Sequence, residues 1–278
     1  MTISAKIGFL GAGNMAQAIL RGLLDKKIVI PSQVICSDIS ESVLAGVSKK
    51  YKILTTLESS TIATKSEILL LCIKPQDLSS ALKKIAGYIT KSHRVISVVA
   101  GVPLRFLQKQ IGETCPIIRA MPNMAAMVFE SATAFVANEK VTSAFLSEAM
   151  EIFNAIGRTI YLTDENLMDV VTGLSGSGPA YALSAIEAMA QGATRLGMKR
   201  EEALLLASQT LFGAAKLCLE TGETPEKLIA RITSKGGTTI AGLEALKKAG
   251  FASALMDAVD VTTRRSKELG KETLQEQS

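Results

Sequence analysis

The stretch KIGFLGAGNMAQAIL, residues 6–20, decides the fold. An apolar run ends at Leu10, and the segment GAGNMA at residues 11–16 joins it to an apolar, helix-like stretch. A Gly-x-Gly-x-x-Ala dinucleotide motif requires this strand–turn–helix setting, and a turn of purely structural role is the alternative interpretation. The first glycine permits the tight turn, the second admits a pyrophosphate, and the helix N-terminus offers N–H donors. The predicted coenzyme contacts here are Leu10, Gly11, Ala12, Gly13, Asn14 and Met15.

Outward from this motif, short apolar runs alternate with amphipathic segments as far as residue 162. Predicted strands cover residues 6–10, 33–38, 67–73, 94–100, 116–120 and 132–137. Helices are predicted between them, for example at residues 15–24, 41–50 and 78–86. Such alternation is typical of an α/β Rossmann domain, doubly wound around a mostly parallel sheet. We predict that this domain covers residues 1–163.

Beyond residue 163 the strand pattern stops, and an all-α domain is predicted for residues 164–278. Its predicted helices cover residues 179–196, 201–220, 225–232, 239–248 and 252–269. Residues 182–193 are apolar around most of the helix circumference, which indicates burial on more than one side. A domain of this size has a limited interior, so we expect a second subunit to cover much of the surface. A homodimer is predicted, with larger assemblies of dimers open.

The amino-acid composition argues against a nucleic-acid-binding, secreted or membrane-spanning protein. The chain has 278 residues, 47% of them apolar, and a formal charge of +5. Because the basic residues are scattered and aromatic residues are few, nucleic acid is not an expected partner. The four cysteines form no Cys-x-x-Cys pair, no secretory leader is visible, and Gly, Ser and Pro interrupt the uncharged stretch at residues 170–186. We expect a cytoplasmic protein with no membrane span, no metal site and an unstructured tail after Leu269.

The segment that ends the second predicted strand should meet the adenosine ribose. Asp38 is placed to accept a hydrogen bond from the 2′-hydroxyl of NAD. No arginine is near, yet Ser37 and Ser40 could donate to the 2′-phosphate of NADP. The residues leave both coenzymes, NADP and NAD, open.

The catalytic groups of alcohol-oxidising dehydrogenases are missing. The only histidine, His93, is predicted to be a solvated loop residue, and no lysine occurs between Lys140 and Lys199. A protonated cyclic imine carries its own proton, so its reduction needs an oriented coenzyme, a clamp on the carboxylate and at most one hydroxyl near the nitrogen. A site poor in titratable groups suits imine reduction.

Six separate strings resemble pyrroline-5-carboxylate reductase. They are GAGNMA at residues 11–16, IKPQ at 73–76, RAMPN at 119–123, GLSGSGPAY at 173–181, and PEKL at 225–228 followed by ITSKGGTTIAGL at 232–243. The resemblance extends over residues 6–269. It implies NAD(P)H-dependent reduction of 1-pyrroline-5-carboxylate to L-proline, the last step of proline biosynthesis, at a site on the dimer interface. A reductase of a related cyclic imino acid and a non-catalytic dinucleotide-binding scaffold are the alternatives.

The resemblance also implies site residues. The N–H groups near Gly237, Thr238 and Thr239 would hold the substrate carboxylate, with the Thr239 hydroxyl facing the ring nitrogen; the alternative is that one of these threonines only caps a helix. Ser175 and Glu165 map to the substrate side. Coenzyme-lining positions are Ser59, Cys72, Ile73, Lys74, Pro75, Val99, Ala100, Gly101, Met121, Pro122 and Asn123, although Lys74 also fits an ordinary surface lysine. Two positions depart from the family pattern: Met124 replaces a common threonine, and Ser59 a common asparagine.

Overall fold

The computed structural model describes residues 2–275 of the chain. The chain forms two compact units, one made of the residues up to Gly176 together with those from Thr262 onward, the other of Ser177–Val261. We call them the sheet unit and the helical unit.

The sheet unit contains a single eight-stranded sheet. Its strands are β1 (Ile7–Leu10), β2 (Val34–Ser37), β3 (Leu54–Thr56), β4 (Ile68–Leu71), β5 (Arg94–Ser97), β6 (Ile117–Met121), β7 (Ser131–Ala137) and β8 (Gly157–Tyr161). The strand order is β3-β2-β1-β4-β5-β6-β7-β8, and every neighbouring pair is parallel except β6 and β7. The predicted doubly wound, mostly parallel α/β fold is therefore confirmed. The order reverses between β1 and β4, where ligands bind in such sheets.

The helices of this unit cover both faces of the sheet. They are α1 (Asn14–Asp25), α2 (Glu41–Tyr51), α3 (Ser60–Lys65), α4 (Pro75–Ile85), α5 (Leu104–Ile111), α6 (Ser143–Asn154) and α7 (Leu167–Val171), which runs into a π-helical turn over Thr172–Gly176. One face packs around Phe9, Phe135 and Phe153, the other around Leu69 and Leu82. These two cores hold the strand ends in place, so the loops that follow the strands have fixed positions.

The helical unit contains α8 (Gly178–Arg195), α9 (Arg200–Thr221), α10 (Pro225–Ile232), α11 (Thr238–Lys248) and the start of α12 (Phe251–Gln275). All five predicted helices are present. Its buried core, however, consists of Ala190, Ala203 and Ala207, while Leu205 in α9 is 69% exposed. Within residues 2–275, α9 is the one helix whose length and apolar composition would allow it to cross a membrane. Since so little apolar surface is buried within the unit, most of it faces outward.

Several sequence predictions were wrong in detail. Strands β3 and β8 were not predicted, and α12 continues through residues 270–275, where an unstructured tail was expected; residues 276–278 lie outside the described part of the chain. His93 is not solvated: it is 9% exposed, its Nδ1 accepts a hydrogen bond from the Thr90 N–H, and its Nε2 lies 2.8 Å from the Ala63 carbonyl oxygen. The division into compact units differs from the predicted boundary at residues 163 and 164, since residues 164–176 pack with the sheet unit. The boundary between the two domains stays a prediction.

Candidate active site

The two glycines of the phosphate-binding loop serve different purposes. Gly11 has a φ of +96°, and a Cβ there would lie 2.6 Å from the carbonyl oxygen of Cys72, so the fold itself requires glycine. Gly13 has an ordinary φ of −72°, and a Cβ there would meet no atom within 4 Å. Because Gly13 precedes α1 and no side chain caps that helix, the first-turn N–H groups stand open to a ligand. This open space fits a pyrophosphate.

Asp38 ties the phosphate-binding loop to the start of α2. Its Oδ2 accepts a hydrogen bond of 2.8 Å from the Ala12 N–H, and its Oδ1 accepts one of 2.9 Å from the Ser40 N–H. The Ser40 hydroxyl caps α2 by accepting from the Val43 N–H, and it lies 3.0 Å from the Ser42 hydroxyl. Both carboxylate oxygens of Asp38 therefore already accept backbone hydrogen bonds.

The Ser37 side chain does not have the position expected for a phosphate donor. Ser37 is only 1% exposed, and among the described residues no group hydrogen-bonds its enclosed hydroxyl. Its carbonyl oxygen instead accepts a hydrogen bond of 2.8 Å from the Gly11 N–H. Asp38 and Ser40 thus carry the polar groups that remain near the surface at this strand end.

The loops after β4 and β5 begin beside the phosphate-binding loop. Leu10, at the end of β1, is in register with Leu71 of β4, which is in register with Ser97 of β5. Ile73, Lys74 and Pro75 follow β4 and lead into α4, with Lys74 exposed, and Val99, Ala100 and Gly101 follow β5. Ser59 precedes α3 and is half-buried. The predicted coenzyme segments therefore share the carboxyl edge of the sheet.

Burial determines the protonation state of the two thiols near this edge. Burial, assisted by the nearby charge of Asp38, raises the pKa of the Cys36 thiol to about 12. Burial likewise raises the pKa of the Cys72 thiol. Both thiols therefore stay protonated at neutral pH, as expected for reduced residues of the protein interior, and all four cysteines are free.

Asn123 joins two of the predicted site segments. Its Nδ2 donates a 2.9 Å hydrogen bond to the carbonyl oxygen of Ser175, and its Oδ1 accepts one of 3.1 Å from the Ala125 N–H. The Ser175 hydroxyl donates to the carbonyl oxygen of Val171. Met121 lies so close to Gly176 that a Cβ on the glycine would be 2.7 Å from its terminal methyl. The structure thus brings together Met121, Asn123 and Ser175, while Pro122 is buried and Met124 is exposed.

The predicted substrate loop, residues 235–239, lies in the helical unit. Gly236 has a φ of +74°, and the Gly237 N–H donates a 2.9 Å hydrogen bond to the Ser234 carbonyl oxygen. The Gly237 N–H therefore already has a backbone acceptor, and the substrate-binding role of Gly237 stays a prediction. Helix α11 begins at Thr238 with Gly237 as its N-cap and no side-chain cap. Neither threonine caps the helix, so the capping alternative is wrong, and the N–H groups of Thr238 and Thr239 are first-turn donors.

Comparison with known proteins covers nearly all of the chain. Residues 165–269 match the family model for pyrroline-5-carboxylate reductase dimerisation, and residues 6–101 match that for NADP oxidoreductase, coenzyme F420-dependent. A pyrroline-5-carboxylate reductase of Methanosarcina acetivorans is 45% identical over 96% of this chain and 98% of its own. This chain belongs to the pyrroline-5-carboxylate reductase family.

Solved structures of family members agree with this assignment. A pyrroline-5-carboxylate reductase from Coxiella burnetii superposes with a TM-score of 0.91 at 32% identity, covering 96% of this chain and 99% of its own. Pyrroline carboxylate reductase of Plasmodium falciparum, solved with NADP bound, gives a TM-score of 0.86 at 27% identity, covering 97% of this chain and 100% of its own.

One buried ion pair of this protein was not predicted from the sequence. Arg119, in β6, is buried and donates a 2.9 Å hydrogen bond to Oε1 of Glu165, which also accepts one of 2.7 Å from the Leu104 N–H. Glu165 thereby joins β6 to the first residue of α5, so one of its oxygens is committed to structure. Its substrate-binding role stays a prediction. An arginine inside an otherwise apolar strand is the signal that would have identified this ion pair.

Proposed function

We propose that this protein reduces 1-pyrroline-5-carboxylate to L-proline with NADPH, the last step of proline biosynthesis, and that NADH also serves. The full-length identity of 45% to a curated pyrroline-5-carboxylate reductase carries the proposal. The loop around Gly13 and the turn before Thr238 add chemical support, since a catalyst needs both and a scaffold that binds dinucleotide needs only the first.

The coenzyme fits the residues of the sheet unit. The open space at Gly13 and the uncapped N-terminus of α1 accommodate a pyrophosphate. We assign the adenosine ribose to Asp38 and Ser40, and the nicotinamide side to residues 121–123. When bound, the reduced nicotinamide supplies the hydride. The protein holds this donor in position and excludes water from it.

The helical unit supplies the substrate contacts in this proposal. The first-turn N–H groups of Thr238 and Thr239 hold the substrate carboxylate, because an uncapped helix N-terminus stabilises an anion. The Thr239 hydroxyl hydrogen-bonds the ring nitrogen. The imine binds in its protonated form, so the amine product needs no further proton from the protein. Thr239 therefore orients the iminium and is the candidate catalytic residue. Ser175 and Glu165 belong to the sheet unit, and their substrate-binding role stays a prediction.

A homodimer is part of the proposal. The match of residues 165–269 to a dimerisation family supports it, and the exposed apolar residues of α8–α12 give the physical reason. We propose that a second copy, rather than a membrane, covers α9, and that the protein is cytoplasmic. Small-molecule substrate and coenzyme are the expected ligands, without nucleic acid.

Initial rates of NADPH and NADH oxidation with pyrroline-5-carboxylate test the proposal. We expect turnover with both coenzymes, and a much lower kcat/KM with the homologous six-membered cyclic imino acid. A higher kcat/KM for the larger ring would identify the related reductase instead. Binding of NADPH without turnover of either imine would identify a scaffold.

A further inference from the structure

The part of α12 that belongs to the sheet unit turns small residues toward the rest of that unit at every fourth position. The Thr262 hydroxyl lies 3.5 Å from the carbonyl oxygen of Gly173, and the buried Ser266 hydroxyl donates a 2.7 Å hydrogen bond to Oδ1 of Asp169. Gly270 is the next residue on this face, since residues four apart on a helix are neighbours. This end of α12 is therefore held against the rest of the sheet unit by specific contacts.

Gly270 brings the helix backbone against a predicted coenzyme loop. A Cβ on Gly270 would lie 3.0 Å from the carbonyl oxygen of Gly101, and a Cβ on Gly101 would lie 3.7 Å from the nitrogen of Gly270. Gly101 has a φ of +73° and ends the segment of residues 99–101 that follows β5. The two backbones touch with no side chain between them, so any added atom at position 270 must displace the loop.

We infer that Gly270 is a positioning residue, which sets the distance between α12 and the coenzyme loop at residues 99–101. The inference rests on the proposed function, since residues 99–101 are predicted coenzyme contacts of such a reductase. Glycine inside a helix is less favourable than alanine, so its presence at position 270 calls for a packing reason. The 3.0 Å approach to Gly101 supplies that reason. A methyl group here would push the Gly101 carbonyl by a few tenths of an ångström.

The experiment compares Gly270→Ala with Gly46→Ala. Gly46 is an exposed glycine within α2 at which a Cβ would meet nothing within 4 Å, so it controls for the change in helix propensity. The measured quantities are the Kd for NADPH by fluorescence titration, the Tm, and KM for each substrate. For Gly270→Ala we expect NADPH affinity to fall roughly three- to tenfold, because small displacements at a binding site are costly. We expect KM for pyrroline-5-carboxylate to change less than about twofold, since its proposed contacts lie elsewhere.

The Tm should not fall together with the NADPH affinity. Alanine is the better helix former, so Gly46→Ala should keep or raise the wild-type Tm and bind NADPH as the wild type does. In Gly270→Ala the gain in helix propensity offsets the cost of displacing Gly101, so its Tm should stay near that of the wild type. Wild-type NADPH affinity in Gly270→Ala would overturn the inference, and so would a lower Tm with unchanged affinity. The titration needs no turnover: a wild type that binds NADPH without reducing the imine contradicts the proposed function and leaves this test intact. A wild type that does not bind NADPH contradicts both.

Discussion

The sheet unit and the helical unit bury their apolar residues to opposite degrees. All four residues of β1 and all four of β4 are buried, and both faces of the sheet carry continuous cores. In α9, which is 22 residues long, only Ala203 and Ala207 are buried. Burying one large aliphatic side chain contributes about 1.5–3 kcal/mol, so the sheet unit contains its own driving force for folding. The helical unit buries few large apolar side chains of its own, which is the reason for proposing that a second copy covers it.

The largest expected effect is at the surface of the helical unit. Leu205→Glu should prevent the dimer, because a carboxylate would be buried at the interface without a partner. We expect a monomer with no measurable activity, as observed by analytical ultracentrifugation and an NADPH assay. Ile30→Glu changes an exposed isoleucine of the sheet unit and is the control, which should stay dimeric and active. An active dimer of the Leu205→Glu variant would contradict the proposed difference between the two units, in which only the helical unit relies on a second copy to cover its apolar surface.

The next largest effects are expected in the phosphate-binding loop, where one glycine should matter for coenzyme affinity and the other for the stability of the fold. Gly13→Val should weaken NADPH binding roughly 1000-fold or more with only a small loss of Tm, because its side chain fills the space of the pyrophosphate while its Cβ meets no protein atom within 4 Å. Gly11→Ala should instead lower the Tm, since its Cβ would meet the Cys72 carbonyl. Fluorescence titration and thermal melts of both variants test this pair. Equal losses of stability would show that both glycines serve the fold.

A smaller loss is expected at the substrate turn of the helical unit. Thr239→Ala should lower kcat/KM for the imine roughly 10- to 1000-fold, the range for one positioned polar contact. Thr239→Ser keeps the hydroxyl and should retain most of the rate. Because Gly237 is the N-cap, the Tm of both variants should stay near that of the wild type. Normal turnover of Thr239→Ala at a lowered Tm would show that Thr239 has only a structural role.

The smallest effect concerns coenzyme choice at Asp38. Asp38→Ser should shift the ratio of kcat/KM values toward NADPH by about tenfold, or ~1.4 kcal/mol, by removing a negative charge near the 2′-phosphate. Both individual kcat/KM values should also fall, since the Ala12 and Ser40 N–H groups lose their acceptor. An unchanged ratio would mean that Asp38 supports the loop and does not select the coenzyme.

The parts predicted from sequence are those with strong local patterns. Central strands such as β4 are apolar on both faces and were found, whereas β3 and β8 are partly exposed edge strands without such a run. The GAGNMA motif identified the phosphate-binding loop because its chemistry is contained in adjacent residues. The bond from Asp38 to the Ala12 N–H and the ion pair of Arg119 with Glu165 connect residues far apart in sequence, so only the fold reveals them.

The central claim is that the coenzyme bound by the sheet unit reduces an imine. The most direct test follows the transfer of deuteride from the coenzyme to the substrate. The protein would be given NADPH carrying two deuterium atoms at C4 of the nicotinamide, together with pyrroline-5-carboxylate, and the product analysed by mass spectrometry. We predict proline that is one mass unit heavier, with a single deuterium on the former imine carbon. Proline without deuterium, or no proline at all, would contradict the account.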